Sequence, residues 1–92
     1  MKELKTFELS DFLDNDDVRK EYLNQVLADG DLEELKRALL HISKSYGVEK
    51  IAKKANLNRE SFYKIFKPNS KPRFETISKI LRAFDMNLSV SA

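Results

Sequence analysis

Ninety-two residues, 41% hydrophobic and 35% charged, describe one small domain with a heavily charged surface. There is no cysteine, so disulfides and thiolate metal sites are excluded, and the composition fits a reducing cytoplasm. No apolar run approaches the ~18 residues of a membrane span, and the opening MKELKTFELSDF lacks the apolar stretch of a secretion signal. The formal net charge of +2 conceals a split. Residues 1–43 carry 6 Lys and Arg against 11 Asp and Glu, a net of −5, whereas residues 44–92 carry 11 against 4, a net of +7. A basic half beside an acidic half points to two surfaces with different partners, the basic one facing a polyanion. The alternative is a set of ordinary solvated helix faces.

The expected elements are helices, in a single domain over residues 1–92. Residues 1–30 form an N-terminal extension and helix, 31–85 a core, and 86–92 a short strand or tail. Phe7, Leu9, Phe12 and Leu13 make an apolar lead-in. Asn15 is suited to cap a helix running to about residue 29, with Val18, Tyr22, Leu23, Val26 and Leu27 as its apolar stripe. Gly30 suits the left-handed position that ends it. Asp31 opens the next helix with Glu34 three residues on, a capping-box-like pair. Leu32, Leu35, Ala38, Leu39 and Ile42 form its buried face as far as Tyr46, and Gly47 stops it.

Two short helices follow, over about 48–55 and 59–66, then the loop KPNSKP and a helix over about 74–84 with Phe74, Ile77, Ile80, Leu81 and Phe84 inward. Residues 48–67, VEKIAKKANLNRESFYKIFK, fit a helix-turn-helix. Ala52 is small where the two helices approach. Asn56 falls at the turn, where the backbone must reach positive φ, and asparagine tolerates that. Leu57 plugs the turn and Asn58 caps the second helix. Val48, Ile51, Ala55, Phe62, Ile65 and Phe66 face inward, which leaves Arg59, Glu60, Tyr63, Lys64 and Lys67 outward. Such a face suits the major groove, with Arg59 near the helix start able to pair with guanine O6 and N7. Lys50, Lys53 and Lys54 on one side, and Asn69, Ser70, Lys71 and Arg73 on the other, can straddle the phosphate backbone. Glu60 is expected to pair with Arg59 or Lys64, or to accept from cytosine N4.

The chain resembles the "probable addiction module antidote protein" family, related to HigA-type antitoxins and the wider lambda-repressor-like (XRE) group. The resemblance rests on F-x-x-x-D-F-L-D at 7–14, E-Y-L-N at 21–24 and A-D-G-D at 28–31. It continues through I-A-K-K-A-N-L-N-R-E-S-F-Y-K at 51–64, F-E-T-I-S-K-I-L-R-A-F at 74–84 and L-S-V at 88–90. It implies an all-α, five-helix lambda-repressor-like helix-turn-helix domain with an N-terminal helical extension and a short C-terminal strand. It also implies a cytoplasmic bacterial protein that neutralises a RelE/HigB-like toxin, binds operator DNA upstream of its own gene as a homodimer and represses transcription. Asn58, Arg59, Glu60, Tyr63, Lys64 and Lys67 fall where related proteins contact DNA. Asn56 and Asp85 stand where glycine is common, and Arg73 stands where a Ser or Thr cap is usual.

Glu8, Asp11, Asp14, Asp16, Asp17 and Glu21 are suited to meet a basic toxin surface. The Asp14–Asp17 run equally suits the dipole of a helix start. Met86, Leu88 and Val90 alternate to one side and can pair with a symmetry mate or cover the chain's own core. His41, the only histidine, has no ligand partners at metal spacing. No nucleophile, base and orienting group assemble, so a non-enzyme without cofactor or metal is expected. Two rivals stand beside the antitoxin reading. One is a stand-alone or phage-type repressor, separated by the absence of a neighbouring reading frame for a small basic protein. The other is a protein-interaction module, which would tolerate alanine at Arg59, Tyr63 and Lys64.

Overall fold

A computed structural model describes residues 13–90. Five helices follow one another: α1 (Asp16–Asp29), α2 (Leu32–Tyr46), α3 (Val48–Lys54), α4 (Arg59–Ile65) and α5 (Phe74–Ala83). The chain divides after Ser45 into two compact units. Among the described residues no helix is long and apolar enough to cross a membrane. The lead-in residues Phe7, Leu9 and Phe12 lie outside the described residues, whereas Leu13 is buried.

The first unit holds α1 and nearly all of α2. The Asn15 side chain accepts from the Val18 N–H at 2.9 Å, which satisfies one of the free donors of the first turn. Gly30 ends α1 at φ 72, its N–H donating to the Val26 carbonyl. Asp31 starts α2 by accepting from the Glu33 N–H at 3.0 Å. The bond goes to Glu33, one residue short of the Glu34 position of a capping box.

The buried stripe of α1 differs from the apolar stripe of its sequence. Arg19, Leu23 and Val26 are buried, whereas Val18 and Leu27 are exposed. The inward face is therefore rotated toward Arg19. That arginine is tolerated inside because Nη1 reaches Asp16 Oδ1 at 2.9 Å and Nε donates to the Ser45 hydroxyl at 3.0 Å. Along α2, Ala38, Leu39 and Ile42 are fully buried as the spacing predicts, and Leu32 and Leu35 are half-buried. Lys36 and Ser43 join them. Lys36 is only 2% exposed, and its Nζ lies 3.1 Å from Glu33 Oε2. The Ser43 hydroxyl donates to the Leu39 carbonyl one turn back.

The second unit holds α3, α4 and α5. Its buried residues are Ile51, Ala52, Ala55, Phe62, Ile80, Leu81, Ala83 and Phe84. Burying each large apolar side chain of this set contributes on the order of 1.5–3 kcal/mol. Tyr46 lies against Phe84 with ring centroids 5.5 Å apart. Phe74, expected inside, is 68% exposed. It is the first residue of α5, ahead of the helix's buried residues Ile80, Leu81 and Ala83. It edges a shallow cleft of about 240 Å³ with Leu81, Met86 and Leu88. Residues 86–90 form no strand. Asp85 turns the chain at φ 63 and the Met86 N–H donates to the Leu81 carbonyl at 2.9 Å, after which the described residues offer no partner strand.

Partial burial of Tyr22 raises its phenol above the ordinary 10.0; the Glu34 carboxylate adds to the shift and Arg37 offsets part of it. A raised phenol pKa means that the fold favours the neutral form. That contribution is intact below pH 10 and is lost as pH rises through the folded value. Tyr22→Phe should therefore flatten the fall of unfolding free energy above pH 10, as measured by urea denaturation between pH 8 and pH 11. An unchanged slope would contradict the assignment.

Candidate nucleic-acid interface

The candidate residues all lie in the second unit, and the turn between α3 and α4 positions most of them. Beyond α3, Asn56 sits at φ 61. The Asn56 N–H donates to the Lys53 carbonyl at 3.0 Å and the Leu57 N–H donates to the Ala52 carbonyl at 2.9 Å. This pair of bonds is a Schellman closure with asparagine in place of glycine. It satisfies the last carbonyls of α3 and reverses the chain within a few residues. Ala52 is buried there and Leu57 half-buried. Asn58 is extended and its side-chain oxygen accepts from the Ser61 N–H at 2.8 Å, so α4 begins at Arg59 with a satisfied first turn. The same oxygen cannot read a base without releasing the cap; the Asn58 amide nitrogen is the atom left for an outside partner.

Phe62 anchors α4 from behind. It is 0% exposed, with its ring 5.0 Å from Phe66 and 5.6 Å from Tyr63, edge to face in both cases. Ile65 and Phe66 are half-buried. With Phe62 inward, helical spacing turns Arg59, Glu60, Tyr63 and Lys64 outward, and all four are exposed. Arg59 does not pair with Glu60. Its Nη1 lies 3.3 Å from Glu49 Oε2 on α3, and its guanidinium carbon lies 5.7 Å from the centre of the Tyr63 ring. Spacing within α4 singled out the neighbouring acid, because Glu49 comes close only once the turn has formed.

The rest of the interface surrounds this face. Lys50 and Lys53 on α3 are exposed, and Lys54 reaches Asp85 at 3.8 Å. Between α3 and the start of α4 lies an open cleft of about 470 Å³. Val48, Ala52 and Leu57 line its apolar part, and Lys50, Lys53, Arg59 and the single acid Glu49 line its charged part. On the far side, Lys67, Lys71 and Arg73 are exposed. Asn69 and Ser70 are loop-shaping residues. Asn69 takes φ 67, and the Ser70 hydroxyl donates to the Ile65 carbonyl at 2.5 Å. Arg73 precedes α5 without a side-chain capping bond, as its replacement of a hydroxyl residue leads one to expect. The site is therefore a shallow cationic surface with three apolar residues and one aromatic ring.

Because Asn56 is left-handed, Asn56→Ala should cost about 1 kcal/mol, whereas Asn56→Gly should cost little or nothing. Urea denaturation of the three proteins checks this, and equal loss for Gly and Ala would contradict it.

A family model described as "Probable addiction module antidote protein" matches residues 3–92. An uncharacterized protein of Haemophilus influenzae is 28% identical over 89 residues, which cover 97% of this chain and 92% of that protein. No solved structure matches significantly.

Proposed function

We propose, from the premise that the chain belongs to the family of probable addiction module antidote proteins, that it neutralises a RelE/HigB-like toxin and represses its own operon. In this reading α3, the Asn56 turn and α4 act as a lambda-repressor-like helix-turn-helix, with α4 entering the major groove of operator DNA. The observation that carries it is the two-sidedness of α4. Phe62 is wholly buried behind it, while Arg59, Tyr63 and Lys64 stand exposed in front. A helix that served only to close the core would not need a cation, an aromatic ring and a second cation on one outward face.

Roles divide by position. Arg59, Tyr63 and the Asn58 amide nitrogen, with Glu60 as an acceptor for cytosine N4, read base edges. Lys64, Lys67, Lys71, Arg73, Lys50 and Lys53 meet phosphates, and Asn69 and Ser70 shape the loop that presents them. A shallow cationic surface of this kind binds through counterion release, so its affinity falls steeply with salt. The working unit is a homodimer, because a two-fold operator needs two copies of α4 about 34 Å apart. The exposed Phe74, Leu88 and Val90 offer apolar surface for the second copy.

The toxin falls to the acidic half. Asp14, Asp17 and Glu21 are exposed around the start of α1, and the exposed Val18 stands among them. An apolar side chain ringed by carboxylates complements a basic protein surface. Glu8 and Asp11, expected on the same face, lie outside the described residues.

Fluorescence titration of a duplex from just upstream of the gene, beside a scrambled duplex, tests the DNA reading. The expected result is binding at least about 10³-fold tighter to the native duplex at physiological salt. Equal, weak and strongly salt-dependent binding to both would contradict it. In the same assay Lys64→Ala should weaken both complexes and reduce the salt slope by about one unit.

A further inference from the structure

Glu49 is out of place on a surface built to meet phosphate. It lies among Lys50, Lys53 and Arg59 at the cleft between α3 and α4, the one acid in that lining. Fold stability does not explain it. Glu49 and Arg59 keep 83% and 65% of their side-chain surface exposed, and pairs in that setting add little. The two helices are already joined by the Ala52–Leu57 bond and by buried Phe62.

Building on the DNA-binding reading, we propose that Glu49 is a specificity-determining residue that positions Arg59. It draws the Arg59 guanidinium to one side while the Tyr63 ring supports it from α4, so the arginine meets a base edge in a single orientation. The geometry is a three-point arrangement: Glu49 Oε2 to Arg59 Nη1 at 3.3 Å, and Arg59 Cζ 5.7 Å from the Tyr63 ring centre. Guanidinium carries five donors in a planar fork. A carboxylate engaged with Nη1 leaves the Nε and Nη2 donors of the other edge for a bidentate partner. Without it, a long side chain on an exposed helix start swings freely and pairs with whatever phosphate is near. That gain is sequence-independent and erodes discrimination. The Glu49 carboxylate also repels phosphate directly, which weakens binding to every duplex alike and leaves the ratio unchanged. Only the positioning of Arg59 acts on the ratio of cognate to non-cognate affinity.

The test is a double-mutant cycle read as that ratio. Wild type, Glu49→Ala, Arg59→Ala and the double variant are titrated against the upstream duplex and its scrambled counterpart at fixed salt. Alanine at an exposed helical position preserves the fold, and thermal melts of the four proteins verify that. Glu49→Ala should bind the scrambled duplex several-fold tighter. Its ratio should fall by about fivefold or more, within the range of one well-placed arginine–guanine contact. In the Arg59→Ala background, removal of Glu49 should change the ratio no further, because nothing remains to position. A ratio unchanged by Glu49→Ala, both affinities rising together, overturns the proposal and leaves Glu49 as a charge alone. A loss that persists without Arg59 overturns it as well. If wild type itself shows no preference for the upstream duplex, the DNA-binding reading and this proposal fall together, so the two failures are distinguishable.

Discussion

The hydrogen bond from the Leu57 N–H to the Ala52 carbonyl is the constraint on which the second unit depends. It forms only if the residue before Leu57 is left-handed, and Asn56 meets that condition at φ 61. Once closed, the turn places Asn58 to cap α4, sets Phe62 inward, and brings Glu49 within reach of Arg59. The chain uses the same device again after α5. There Asp85 at φ 63 lets the Met86 N–H reach the Leu81 carbonyl. In both places a polar residue that tolerates positive φ replaces glycine, and the residue after it is apolar and packs back near the helix end.

Charge is handled differently in the two halves of the chain. In the first unit the buried cations are enclosed and matched: Arg19 between Asp16 and the Ser45 hydroxyl, Lys36 beside Glu33. These charges serve the fold, since an unpaired buried cation is costly. In the second unit Lys50, Lys53, Lys64, Lys67, Lys71 and Arg73 stand at the surface. Exposed cations contribute little to stability, and their attraction to a polyanion is screened by salt. The excess of +7 over residues 44–92 is thus a surface property. Glu49, the one acid lining the α3–α4 cleft, gives this surface selectivity in the account proposed for it.

Much of this was legible in local signals. Asn15 and Asn58 as caps, Gly30 as a stop, and Asn56 and Asp85 at positive φ all follow from chemistry carried by one residue and its immediate neighbours. The helix ends followed, to within about a residue. Features that depend on what lies opposite were not legible. Val18 and Leu27 fit an apolar stripe on α1 as well as any residue, yet Arg19 takes the inward place because Asp16 and Ser45 satisfy it. Phe74 continues the spacing of Ile77 and Leu81, but spacing does not reveal where the buried part of α5 begins. The alternation Met86, Leu88, Val90 reads as a strand, but a strand requires a partner and the described residues supply none. Glu49 and Arg59 are ten residues apart, and only the turn makes them neighbours.

The central claim is that the α3–turn–α4 surface, and no other part of the chain, meets duplex DNA. Backbone amide shifts of the isotopically labelled protein, followed by NMR as the upstream duplex is added, test it most directly. The account predicts changes concentrated at Lys50, Lys53 and residues 58–73, with α1 nearly unmoved. Changes centred on α1 and α2, or none on α4 at saturating duplex, would contradict it.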